Sequence, residues 1–269
     1  MAEPDGAARI AAAFEAAASE GRAALMPYMM GGFPDQAGSL AIATAYSDAG
    51  ADLVELGVPF SDPLADGPVI HAAATKALRN GGSLDGALEA IPRLGDGVPA
   101  VVMCYANMVF ALGPARFAGR LAAAGAAGAI VPDLPLEEAG EVRGALAQEG
   151  IAAVPLVAPT TPPRRRRDIC AAAEGFVYVV ANVGTTGERD RLPAELGDLV
   201  EAVREEASVP AAVGFGIGTP GQAAEAGRLA DGVIIGSRLV RAAAEAGNGD
   251  EAAAAVSEFL AAARAAMAG

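Results

Sequence analysis

Two kinds of residue in this chain could do chemistry, and both sit where an apolar run gives way to a loop. The first are carboxylates. Glu55 lies inside the otherwise apolar run Asp52 to Gly57, and Asp62 and Asp66 follow in a loop rich in proline and glycine. A carboxylate in such a strand points into a barrel interior or into a helix layer. Both positions are costly unless it is paired or has a chemical role. The ordinary reading of Glu55 is a buried side chain satisfied by a Tyr or Thr hydroxyl. For Asp62 before Pro63, and Asp66 before Gly67, it is a turn former or helix cap. What sets Glu55 and Asp66 apart is placement, one on a strand end and the other on a long loop able to fold over it. Two carboxylates in different environments allow separate acid and base duties, so the chemistry they suggest is proton transfer.

The second kind are glycines. Ala212 to Gly218 contains Gly214, Gly216 and Gly218, and Ile234-Ile235-Gly236-Ser237-Arg238 follows one unit later. Glycine lets a phosphate approach the backbone, and the N-terminus of the next helix donates N–H groups to it. A tight turn also needs glycine, so one such end is weak evidence, but two on successive strands are a stronger signal.

The elements that must position these groups are repetitive. Short apolar runs occur at Ala24 to Met30, Asp52 to Gly57, Val98 to Tyr105, Gly128 to Asp133, Ile151 to Ala158, Gly175 to Ala181, Val209 to Gly216 and Asp231 to Ser237. They are near-continuous rather than alternating, as in parallel strands buried on both faces. Helical patterns separate them at Gln36 to Asp48, Pro114 to Ala124, Leu136 to Glu149, Arg164 to Ala173, Glu195 to Glu206, Pro220 to Ala226 and Arg238 to Ala246. Eight units in series with no linker predict an α/β fold, a (β/α)₈ TIM barrel forming a single domain over 1–269. An open doubly wound sheet is the alternative, but no Gly-x-Gly-x-x-Gly opens the first unit. Three segments exceed the minimal repeat: an extra N-terminal helix, an extra helix after strand two, and an extra C-terminal helix with Val256, Phe259, Leu260 and Met267 on its apolar face.

Composition narrows the function. The formal net charge is -14, which repels nucleic acid and anionic membranes, so neither is an expected partner. It also means that a bound phosphate ester must draw on backbone N–H groups rather than lysine clusters. Cys104 and Cys170 lie far apart, near no metal-ligand spacing, and read as reduced thiols. The acidic start lacks a signal peptide's basic and apolar regions, and no uncharged apolar run could span a bilayer without Gly or Pro, so a cytoplasmic location is expected. His71, the single histidine, reads as a surface or packing residue, and Arg164 to Arg167 as a solvated helix face.

Val54 to Pro68 closely resembles the signature of the tryptophan synthase alpha chain family, Glu-Leu-Gly-x-Pro-x-Ser-Asp-Pro-x-Ala-Asp-Gly-Pro. Further matches run along the chain at Tyr28 to Asp35, Met103 to Asn107 and Val131 to Pro135. The resemblance implies a lyase that splits indole-3-glycerol phosphate into indole and glyceraldehyde 3-phosphate, with Glu55 and Asp66 catalytic. It further implies Gly216, Gly236 and Ser237 on the glycerol phosphate, Phe215 against the indole, and Tyr178 facing substrate. Core packing is the plain alternative for Tyr178. Thr186 and Gly187, in the loop after strand six, match residues that close over the site, although Thr185, Ala181-Asn182, Gly218 and Gly31 depart from the family pattern. No metal or cofactor is implied for this chain. The implied partner is a beta chain carrying pyridoxal phosphate, in an alpha2beta2 tetramer that makes L-tryptophan. A stand-alone lyase, and a weakly active barrel that mainly activates a beta chain, stay open. So does another phosphate-binding barrel enzyme, but a Schiff-base aldolase would need a strand lysine and the only lysine is Lys76. Tyr105 and Asn107 read as substrate-rim or interface positions, with nothing local to decide between them.

Overall fold

A computed structural model of the chain describes residues 5–95, 97–181, 195–214 and 216–269. All eight apolar runs form strands: β1 (Ala24–Met30), β2 (Val54–Gly57), β3 (Ala100–Met103), β4 (Gly128–Ile130), β5 (Ala152–Ala153), β6 (Leu156–Val157), β7 (Val177–Val180), β8 (Ala211–Gly214) and β9 (Gly232–Ile235). Every paired neighbour is parallel. The hydrogen-bonded order is β5-β4-β3-β2-β1-β9-β8-β7-β6. The two ends of that order are halves of one run, parted at Val154-Pro155. Val154 still donates to Ala129 O (3.0 Å) on one side, while Pro155, which has no N–H to give, accepts from Tyr178 N–H (2.9 Å) on the other. The fifth barrel strand thus faces both neighbours, and the sheet closes on itself as a (β/α)₈ barrel.

Helices α1 (Gly6–Ser19), α2 (Gln36–Asp48), α3 (Pro68–Arg79), α4 (Leu84–Leu88), α5 (Ala106–Leu112) and α6 (Pro114–Ala123) belong to the first half. The second half has α7 (Gly140–Gln148), α8 (Pro163–Ala171), α9 (Leu196–Glu206), α10 (Pro220–Leu229), α11 (Ser237–Glu245) and α12 (Gly249–Met267). The insertion after strand two holds two helices and a 3₁₀ turn over Ile91–Leu94, where one helix was expected. Helix α7 starts four residues later than its pattern, because Glu138 and Ala139 bond three residues back, to Pro135 and Leu136, in turns.

Two apolar layers hold the barrel. Met26, Leu53, Val101, Ile130, Val154, Phe176, Ala212 and Ile234 fill the interior, and Ile10, Phe14 and Ala17 of α1 cap that core at the strands' N-terminal end. The Phe14 and Phe176 rings lie 5.8 Å apart. Burying each such side chain stabilises the fold by about 1.5–3 kcal/mol. The helix coat forms the second layer, in which α12 buries Val256, Phe259, Leu260 and Met267, the face read from the sequence. Arg22 and Asp52 tie the starts of the first two barrel strands together, with guanidinium–carboxylate contacts of 2.5 and 2.8 Å.

Candidate active site

Side chains alternate along each strand, so a residue two beyond an interior core position faces the same interior, one layer nearer the strands' C-terminal ends. Two residues past Met26, Leu53, Val101, Ile130, Val154, Phe176, Ala212 and Ile234 lie Tyr28, Glu55, Met103, Pro132, Leu156, Tyr178, Gly214 and Gly236. All eight line one cavity of about 220 Å³, with Asp66, Gly216 and Ser237 at its mouth. The cavity is therefore the layer of the barrel that its core leaves unfilled, at the end where barrel enzymes act.

Glycine opens it. A Cβ on Gly57 would lie 2.1 Å from the Tyr28 hydroxyl, and one on Gly214 would lie 2.0 Å from that of Tyr178. Each phenol occupies the space that a side chain on the next strand would take, so two aromatic walls fit inside the ring.

Glu55 is 2 % exposed, and its Oε1 has no hydrogen-bond partner among the described residues. The hydroxyl partner of the ordinary reading is therefore missing at that oxygen. Burial, and then the charge of Asp66, push the Glu55 carboxyl up to about 8. Burial also pushes Asp66 up to about 6, held back by a hydrogen bond from Tyr105 and by the charge of His71. At neutral pH the pair holds one proton more readily than none or two, chiefly on Glu55. The phenols of Tyr28 and Tyr178 are pushed up by burial and by these carboxylates, and stay protonated.

The anion end is selective. At the start of α10, Thr219 and Gln222 form a capping box, and Gln222 also accepts from Gly218 N–H (2.8 Å), so the N–H groups of Gly218, Thr219 and Gln222 are taken up locally. Helix α11 has Gly236 at its N-cap and no side-chain cap, which leaves first-turn N–H groups at the cavity. The guanidinium of Arg238 lies over the Phe259 ring, 5.1 Å from its centroid, and so points toward α12. Among the described residues, positive potential at this end of the cavity comes from the backbone N–H groups of α11.

The sequence profile of the family described as "Tryptophan synthase alpha chain" matches residues 14–268. The chain belongs to that family. Among its relatives, the tryptophan synthase alpha chain of Chloroflexus aggregans (strain MD-66 / DSM 9485) is 45% identical over 235 residues, 86% of this chain and 88% of that one. That of Roseiflexus sp. (strain RS-1) is 45% identical over 251 residues, 92% and 96% of the two chains. Among solved structures, Mycobacterium tuberculosis tryptophan synthase superposes with a TM-score of 0.89 at 36% identity, over 96% of this chain and 98% of that one. Tryptophan synthase subunit alpha from Legionella pneumophila str. Paris gives 0.87 at 32% identity, over 96% and 98%.

Of the site residues read from the sequence, the fold brings together Glu55, Asp66, Tyr178, Gly216, Gly236 and Ser237. Thr186, Gly187 and Phe215 lie outside the described residues. Tyr28 lines the cavity beside Glu55 but was not singled out in the sequence, although its place two beyond Met26 on a barrel strand is the signal that finds it. Tyr105 turns inward to loop two: its hydroxyl accepts from Ala65 N–H (3.1 Å) and faces Asp66. The arginine run is committed within the chain, with Arg165 on Glu137 and Arg166 on Glu206. His71 is exposed. Among the described residues no helix is long and apolar enough to cross a membrane.

Proposed function

We propose that this chain, acting as one barrel domain over 1–269, catalyses the alpha reaction of tryptophan synthase: retro-aldol cleavage of indole-3-glycerol phosphate to indole and D-glyceraldehyde 3-phosphate. The observation that carries the proposal is Glu55, a buried carboxyl with no partner at Oε1 among the described residues, protonated up to about pH 8 and facing a cavity lined by the N-terminus of a helix that no described side chain caps. The protonated Glu55 gives its proton to C3 of the indole ring, which makes that carbon a leaving group. Asp66, ionised above about pH 6, stabilises the positive charge that develops at the indole nitrogen. The Glu55 carboxylate then takes the proton of the glycerol hydroxyl as the carbon–carbon bond breaks, and the side chain returns to its starting state. Tyr178 and Phe215 flank the ring, while Gly216, Gly236 and Ser237 bind the phosphate through backbone N–H groups and the hydroxyl. Thr186 and Gly187, read from the resemblance, complete the substrate-binding set.

No cofactor acts in this chain. Its partner is a beta chain carrying pyridoxal phosphate, assembled as alpha2beta2 in the cytoplasm, and the indole passes on to it. Indole release from indole-3-glycerol phosphate tests the proposal, measured with and without a tryptophan synthase beta chain and in Glu55→Gln. Slow turnover alone, activation by the beta chain, and a loss of at least roughly 10²–10⁴-fold in the variant are expected. No indole under any condition returns the other barrel enzymes to consideration.

A further inference from the structure

We propose that Tyr105 is a positioning residue: its hydroxyl, mounted on the barrel wall, holds the loop-two carboxylate of Asp66 over the cavity. The proposal rests on reading Asp66 as part of the active site.

The two residues differ in how they are anchored. Tyr105 follows β3 and is the N-cap of α5. Its neighbours pin it to the fourth barrel strand and the loop beyond: Cys104 N–H donates to Ile130 O (3.0 Å), and Ala106 N–H donates to Asp133 Oδ1 (2.8 Å). Tyr105 is 3 % exposed. Asp66 instead ends a loop in which Ser61, Asp62, Leu64 and Ala65 are exposed, with Leu64 at 83 %. A carboxylate on such a loop is placed only as well as whatever grips it.

Three contacts from loop two converge on Tyr105. The Phe60 ring stacks on it with centroids 5.2 Å apart and planes 26° from parallel. Ala65 N–H donates to its hydroxyl at 3.1 Å. The same hydroxyl faces the Asp66 carboxylate and favours its charged form. The phenol's lone pair takes the Ala65 N–H, which leaves its one proton to turn toward Asp66, and an ionised carboxylate can only accept. That arrangement both orients the carboxylate and favours its charged form. It works against burial, which favours the neutral acid. The groups facing Asp66 are Glu55 from β2, Tyr28 from β1, Tyr178 from β7 and His71 from α3, while Asp133 acts on Tyr105 and helps keep the phenol protonated. Among the described residues Tyr105 is the one whose hydroxyl favours the charged carboxylate.

Tyr105→Phe keeps the ring and the Phe60 stack and removes only the hydroxyl. Two readouts separate this proposal from the one it rests on. The first needs no substrate: the Asp66 carboxyl is titrated by ¹³C NMR in the full chain, its resonance assigned with Asp66→Asn. Asp66 is expected to titrate at higher pH in Tyr105→Phe than in the parent protein. The second is indole release across pH with the beta chain present. The expected result is a kcat about 10- to 100-fold lower, the strength of a hydrogen bond to a charged group, with a smaller change in KM and an acid limb moved to higher pH. An unmoved Asp66 titration in folded Tyr105→Phe would overturn the positioning role whatever the activity. A moved titration, with no indole released even by the parent protein, would support the positioning role and remove the lyase reading instead.

Discussion

Glu55→Gln should abolish most activity and, at alkaline pH, make the protein more stable. The Glu55 carboxyl titrates near 4.5 in an unfolded chain and at about 8 in the fold. Between those values the native state binds a proton that the unfolded state has lost, so stability falls as pH rises through the window. Each pH unit between the two values is worth roughly 1.4 kcal/mol, which gives an upper bound of about 5 kcal/mol fully expressed above pH 8. Some relaxation around the charged carboxylate lowers the figure, and about 3–5 kcal/mol is expected. Glutamine has the same shape and no proton to lose. The variant and the parent should therefore match near pH 5, diverge to about pH 8 and keep that gap to pH 9, where the midpoint of thermal unfolding should differ by roughly 5–10 °C. Urea unfolding at half-unit pH steps reads the difference directly, with m checked for constancy. Parallel stability curves from pH 5 to pH 9 would refute the reasoning, because a carboxyl that costs nothing to ionise in the fold cannot be the proton reservoir proposed for it.

The pH dependence of kcat/KM for indole release should be bell-shaped, with an acid limb near 6 as Asp66 ionises and an alkaline limb near 8 as Glu55 loses its proton. A rate still rising through pH 9 would rule out Glu55 as the acid. Gly214→Ala places a methyl carbon 2.0 Å from the Tyr178 hydroxyl, so the ring, which lines the cavity, must shift. A loss of about 1–3 kcal/mol in stability and a raised KM are expected, checked by urea unfolding and steady-state kinetics; an unchanged KM would mean that the phenol has slack.

The strand–helix alternation was legible because a strand buried on both faces writes itself as an uninterrupted apolar run. Helix α2 was legible to the residue, Gln36–Asp48, as a long regular pattern between clear breaks. The short α5 was not, because Ala106–Leu112 is nearly all apolar and gives no helical period to read. Glu55 stood out by composition, being a carboxylate where only apolar residues belong. Tyr28 did not, since an aromatic in a barrel strand is unremarkable until register shows which face it occupies. Tyr105 acts through loop two, whose return path to it is set by tertiary packing; nothing in the order of residues places Ala65 and Asp66 beside a tyrosine some forty positions on. The roles read for Thr186 and Gly187 rest on resemblance alone.

The break at Pro155 gives the barrel wall a seam. Six of the barrel's strands are stitched to neighbours by ladders that share residues across both edges, and the long β1 gives four residues to β9 and three to β2, but the fifth meets β4 through Ala152–Ala153 and β7 through Leu156–Val157, only two residues for each side. A hoop is as strong as its clasp. Under denaturant, or in the rare openings of the native state, parting there costs the fewest hydrogen bonds, and amides along 152–157 and their partners on β4 and β7 should exchange with solvent before those around β1. The seam also borders the cavity, since Leu156 and Tyr178 both line it. The wall that gives first is thus one that substrate would press against, and a bound ligand bridging β2 to β7 would act as a staple across the loosest part of the ring.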